Sequence, residues 1–237
     1  MARHAPDRMR RHLVAGRARS AGQRRIGLMG GSFNPPHEGH LDIARQARRA
    51  GRLDEIWWLV SPQNPLKTTV GMAGFTARLA AARRLAGATG WLKVPDIETR
   101  LAAHTGGRKP WVTVRLLDRL AVMQPRSRLI WIMGADNLAS FHLWYRPQQI
   151  TRLADILVLN RPGFVAAALT GPGRALLGRR VPAGLLGRGR GRAGRQTSCQ
   201  TGCQTGCQTG RQRRWAFIHA SRNPSSATGL RAAGKGL

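Results

Sequence analysis

His37 and His40 stand three residues apart behind a pair of glycines and a pair of prolines, in residues 26–40, IGLMGGSFNPPHEGH. Imidazoles at that spacing on the first turn of a helix aim N–H donors at one place. The free backbone N–H groups and the positive end of the helix dipole favour an anion there. The run dictates such a helix start. Ile26, Leu28 and Met29 read as a short buried strand. Gly30 and Gly31 allow the close backbone approach that a side chain would block, and Pro35 and Pro36 postpone helix until they are passed. The pattern predicts a helix from near Glu38 through LDIARQARRA to a stop at Gly51. Taken singly the parts say less. A Gly-Gly after a strand is commonly an ordinary turn. Two histidines at i and i+3 are half a metal site, and only Glu38 accompanies them, so no protein-built metal site is expected. Strand, glycines, H-x-x-H and helix start in this order point to phosphate chemistry.

The elements that must position this cradle follow an alternating pattern. Residues 55–60 (EIWWLV) read as a second buried strand, and the loop SPQNPLK after it completes a βαβ unit. Thr76 is placed to cap a helix through ARLAAARRLA, with Leu79, Ala82 and Ala86 on one face and Gly87 and Gly90 at its end. Further strands are expected at 91–94, 128–133, 154–159 and 215–218. A helix over 112–123 carries Leu116, Leu120 and Met123 at helical spacing and stops at Pro125. Short helical segments surround Leu138 and Gln148. Strands alternating with helices predict an α/β fold, a Rossmann-like doubly wound parallel sheet with ligands at the carboxyl ends of its strands. Residues 30–40, 61–67 and 134–137 each follow a strand, so these loops would meet at one mouth.

Charge and composition bound the partners without choosing among them. The 237 residues hold 40 Lys plus Arg against 10 Asp plus Glu, a net of +30. Residues 1–25 carry eight arginines and one acid, and from residue 156 onward there are 14 basic residues and no acid. Such a surface attracts any polyanion. The basic tails are almost free of aromatics, which serves base stacking poorly, so no specific nucleic-acid partner is expected. Cys199, Cys203 and Cys207 all lie in a QTGC-type repeat, unlike a disulfide framework. No stretch approaches the roughly 20 apolar residues of a membrane span, and the Arg-rich start lacks the apolar core of a signal peptide. A soluble cytoplasmic protein without a membrane partner is the expectation; a homo-oligomer stays open. Four stretches are expected: a disordered basic extension (1–25), one catalytic domain (26–164), a low-complexity Arg/Gly-rich and QTGC segment (165–214), and a strand and helix completing the domain (215–237).

GGSFNPPHEGH resembles the amino-terminal signature of the H-x-G-H nucleotidyltransferase superfamily, in the form found in bacterial nicotinate-nucleotide adenylyltransferases. The resemblance covers roughly 26–163 and 215–233. It implies that Gly30, Gly31, Ser32, Phe33, His37 and His40 line the ATP. GADNLASFHLW (134–144) is similar to a second family segment, which implies that Gly134 and Asp136 lie along the adenosine and Trp144 at the nicotinate end. As plain residues, Phe141 and Trp144 could equally be core anchors. The NPLK match implies that Lys67 approaches the phosphates between the two substrates, a task suited to a flexible ammonium. Asn34 and Thr113 are implied on the nicotinate-nucleotide side. PSSATGLR (224–231) resembles the family's late motif, which implies that Ser226, Thr228 and Arg231 hold the triphosphate from another helix start.

Catalysis by His37, His40 and Lys67, with ATP and nicotinate mononucleotide as substrates and Mg²⁺ bound mainly through the ATP phosphates, is what the resemblance implies. It departs at Arg115 and Leu116, where the family has Asp and Thr, and at Pro147, where it has a second tryptophan. These departures leave nicotinamide mononucleotide as an alternative acceptor, and an impaired basic nucleic-acid-binding protein on the same fold as a rival. Residues 165–214 stand where the family carries structured chain, as an insertion or the product of a shifted reading frame.

Overall fold

The computed structural model describes residues 23–62, 72–97, 113–160, 163–188 and 213–219. The apolar runs become strands of one sheet: β1 (Arg24–Gly31), β2 (Glu55–Val60), β3 (Leu92–Lys93), β4 (Ser127–Gly134), β5 (Asp155–Leu159), β6 (Arg179–Arg180) and β7 (Arg214–Ile218). They pair in parallel in the order β3-β2-β1-β4-β5-β7-β6. This is the doubly wound α/β fold that the alternation predicts.

Both faces are covered, which is why β2 is buried at every position and reads as an unbroken apolar run after Glu55. On one face Leu28, Trp57, Trp131 and Val158 pack with residues of α3 (Thr113–Met123), α4 (Ala135–Ala139) and α5 (Pro147–Leu153). On the other, Trp58, Val60, Ile132 and Leu157 meet α1 (Glu38–Gly51) and α2 (Phe75–Ala86) through Leu41, Ala44, Ala47, Leu79, Ala82 and Ala86. α1 occupies the expected span. Its left-handed terminal residue is Arg52, φ 49°, whose N–H bonds the Arg48 and Arg49 carbonyls, while Gly51 is buried.

Several boundaries differ from expectation for identifiable reasons. β1 begins at Arg24, inside the expected basic extension, because Arg24 pairs with Glu55 and the Arg25 N–H donates to the Asp54 carboxylate at 2.8 Å. α2 is capped by Gly74 rather than Thr76; the Arg78 N–H closes the first turn on the Gly74 carbonyl at 3.1 Å. Residues 165–188, expected as irregular low-complexity chain, instead form α6 (Val165–Thr170), α7 (Pro172–Ala175), β6 and a 3-10 turn at Ala183–Leu185. Their order comes from distant partners rather than local period. Asp155, 1% exposed, accepts from the Gly187 N–H at 2.7 Å and from Arg214 at 3.1 Å. Leu177 and Leu186 enter the two cores, and the Arg174 and Arg180 guanidinium groups lie over Trp215 at 4.7 and 5.4 Å. The QTGC repeat and the expected final helix lie outside the described residues. Among the described residues no helix is long and apolar enough to cross a membrane.

Candidate active site

Strand order reverses between β1 and β4, and in open α/β sheets a crevice forms at that point beyond the carboxyl ends. The register puts the relevant ends at one edge: Gly31 pairs with Val60, Met29 with Ile132, and Gly134 with Leu159. The Ser61 N–H donates to the Gly31 carbonyl at 2.9 Å. The loops after β1, β2 and β4 therefore leave the sheet side by side.

The loop after β1 is built for close approach. A Cβ on Gly30 would stand 2.7 Å from Cη2 of Trp131, so glycine lets the tryptophan ring on β4 close against β1. Phe33 adopts left-handed backbone, φ 46°, which few aromatic residues do. Its ring, 1% exposed, lies 5.1 Å from Trp58 and 4.9 Å from His40. The Asn34–Pro35 bond is cis.

His37 then caps α1 in extended conformation, φ −147° and ψ 167°. Its backbone N–H donates to Nδ1 of His40 at 3.2 Å, and the two rings stand 3.9 Å apart. This is the half of a capping box usually made by Glu or Gln, here made by an imidazole. A backbone N–H can only donate, so Nδ1 of His40 carries no proton and the neutral ring keeps its proton on Nε2. The cap thereby fixes the tautomer and leaves His40 a donor on the side of the ring away from its own backbone.

Asp136, half-buried in the first turn of α4, folds back over Gly134, where an added Cβ would collide with its carboxylate. Trp144 is half-buried and stands edge-on to Trp131 at 6.3 Å and to Phe141 at 5.4 Å, while Phe141 is fully buried. Trp131 thus joins Trp144 to Gly30 as one aromatic wall, a link invisible in local sequence. Thr113 opens α3, half-buried; Leu116 points into the core at 2% exposure, and Pro147 is buried at the start of α5. Asn34 uses its side-chain oxygen to accept the Ala73 N–H at 3.1 Å, so part of its role is to tie the loop before α2 to the cradle. Ser32 presents its carbonyl to Arg78, a residue that no local pattern singles out. Arg78, 1% exposed on α2, donates to the carbonyls of Ser32, Ser61, Pro62 and Ala73. Its only sequence signal is an arginine beside the apolar face of a helix, which ordinarily marks a solvated flank. Lys67, Ser226, Thr228 and Arg231 lie outside the described residues.

Residues 28–232 match the cytidylyltransferase-like family. The chain is 39% identical over 211 residues to a probable nicotinate-nucleotide adenylyltransferase of Gluconobacter oxydans, an alignment covering 89% of this chain and 95% of that one. A protein of Methylorubrum extorquens with the same name is 37% identical over 208 residues, 87% of this chain and 98% of its own. Among solved structures, Plasmodium falciparum nicotinic acid mononucleotide adenylyltransferase complexed with NaAD superposes with a TM-score of 0.58 at 13% identity, covering 88% of this chain and 83% of that one. At that identity the likeness is one of fold.

Proposed function

The chain belongs to the cytidylyltransferase-like family, and from that premise we propose that it is a nicotinate-nucleotide adenylyltransferase: it transfers the adenylyl group of ATP to the phosphate of nicotinate mononucleotide, giving deamido-NAD and pyrophosphate. The observation that carries this reading at the site is the hydrogen bond from the His37 N–H to Nδ1 of His40, which turns Nε2 of the neutral ring into its donor, at the amino end of α1 beside the β1–β4 crevice.

A phosphate oxygen of the mononucleotide attacks the α-phosphorus of ATP, and the bond from that phosphorus to the bridging oxygen of the β-phosphate breaks, its electrons leaving with pyrophosphate. The attacking oxygen is already anionic, so no protein nucleophile or strong base is needed. The chain supplies alignment and neutralisation of charge. Nε2–H of His40, with His37 beside it, donates to the α- and β-phosphate oxygens. The first-turn N–H groups of α1 add their partial charge. Gly30, Gly31, Ser32 and Phe33 bring backbone up to the ATP, and Gly134 and Asp136 border the adenosine. Lys67, Ser226, Thr228 and Arg231 complete the phosphate side. Trp144 and Thr113, with Asn34, border the nicotinate nucleotide.

Enzymes of this family use a divalent cation with ATP. Mg²⁺ prefers oxygen ligands in octahedral array, and the cradle offers two imidazoles 3.9 Å apart and tilted by 46°, one with its Nδ1 engaged. Among the described residues no group of three His, Cys, Asp or Glu side chains converges. In this reading the ion arrives bound to the phosphates of the nucleotide. A cytoplasmic setting, where both substrates occur, goes with this reading. Pyrophosphate release is the test, with ATP and either nicotinate or nicotinamide mononucleotide in competition. Faster turnover with the nicotinate form, and deamido-NAD as product, is expected; release with neither would contradict the proposal.

A further inference from the structure

We infer that Arg78 is a positioning residue for adenylyl transfer, holding the loop after β1 in fixed relation to the loop after β2 through their carbonyl groups. This rests on the adenylyl-transfer reading of the site.

Arg78 occupies a position on α2 next to Leu79 and one turn before Ala82, where an apolar side chain would pack without penalty. A guanidinium withdrawn from water is costly unless its N–H groups are satisfied. Here Nη1 donates to the Ser32 carbonyl at 2.5 Å and the Ser61 carbonyl at 2.8 Å, Nη2 to the Pro62 carbonyl at 2.9 Å, and Nε to the Ala73 carbonyl at 2.8 Å. These acceptors come from three separate segments: the turn after β1, the turn after β2 and the approach to α2. Only a planar fork with donors in fixed directions can join them; an ammonium is a single point on a flexible stem.

The consequence for the site follows from peptide geometry. Because the peptide unit is planar and trans, turning the Ser32 carbonyl toward Arg78 turns the Phe33 N–H to the opposite side. The Phe33 ring in turn supports His40 at 4.9 Å. A second tie runs through Ala73, whose carbonyl accepts from Arg78 while its N–H donates to the Asn34 side chain. Pro62 and Ala73 also bracket the stretch of chain that includes Lys67. One buried side chain thus sets the cradle around His40 and the points from which the next loop departs.

The test is a series of Arg78→Lys, Arg78→Gln and Arg78→Met in the full chain, each checked for folding by circular dichroism and assayed at about 10 °C with ATP and nicotinate mononucleotide, alone and combined with His40→Ala. Folded Arg78→Lys is expected to lose about 100-fold in kcat, the scale of a misplacement near 1 Å, although it keeps the charge. In the His40→Ala background the same change is expected to cost no more than about tenfold, because part of its effect runs through His40. A purely structural role would lower the melting temperature and leave kcat per folded molecule within about threefold, or give full additivity with His40→Ala. Either result overturns the inference, and so does a series in which no variant folds, which would make Arg78 a core residue first. An inactive wild-type chain would overturn the adenylyl-transfer reading as well; an active wild type with active, folded Arg78 variants would overturn this inference alone.

Discussion

In the proposed mechanism His40 has two separable tasks, and replacing it with Asn and with Ala pulls them apart. The helix-capping task resides in Nδ1, which accepts the His37 N–H at 3.2 Å. The proposed phosphate task resides in Nε2, farther from the backbone. In His40→Ala the cap is lost, worth about 1 kcal/mol at a half-buried helix start. The ring also leaves Phe33 and Trp58, which it faces at 4.9 and 6.3 Å. Those aromatic contacts add about 1 kcal/mol. A total near 2 kcal/mol lowers the melting temperature of a chain this size by roughly 4–8 °C. In His40→Asn the side-chain oxygen sits where Nδ1 was and can accept the same N–H, so roughly half of that loss returns. Neither side chain reaches the Nε2 position. Both variants should therefore lose about 10²–10³-fold in kcat, the usual cost of removing one donor aimed at developing negative charge. Thermal melts and steady-state pyrophosphate release on the same preparations read the two tasks separately. Turnover of His40→Asn within about fivefold of wild type, or equal destabilisation by Asn and Ala, would refute the division of labour.

Three further outcomes follow from the packing. Gly30→Ala should force Trp131 away from a 2.7 Å overlap. Overpacking of this kind costs about 1–3 kcal/mol, and because Trp131 carries Trp144, KM for the mononucleotide should rise more than KM for ATP. Trp144→Ala should raise KM for nicotinate mononucleotide about tenfold or more with KM for ATP nearly unchanged, measured at saturating partner substrate. Asp155→Ala should cost about 3 kcal/mol in thermal or urea unfolding, since it strands Arg214 and the Gly187 N–H, while kcat of the folded fraction stays near wild type.

What could be read from the chain alone was what local pattern encodes. β1, the glycine turn and α1 were legible because apolar run, Gly-Gly, prolines and helical period follow one another within residues 26–51. The aromatic link from Gly30 through Trp131 to Trp144 was not, because it joins neighbouring strands far apart in sequence. Arg78 carries no local signal, because burial of a charged residue is decided by carbonyls from other segments and no local period announces them. Residues 165–188 looked unstructured for the same reason: their glycines and arginines form no repeat of 2 or 3.6, yet a buried carboxylate on β5 and Trp215 on β7 give them partners.

The most direct measurement follows the label of the transferred phosphorus. With ATP carrying ³²P at the α position and nicotinate mononucleotide as acceptor, label is expected to pass into deamido-NAD, one dinucleotide for each pyrophosphate released. Label recovered in AMP or ADP without dinucleotide, or left in ATP, would contradict adenylyl transfer to the mononucleotide.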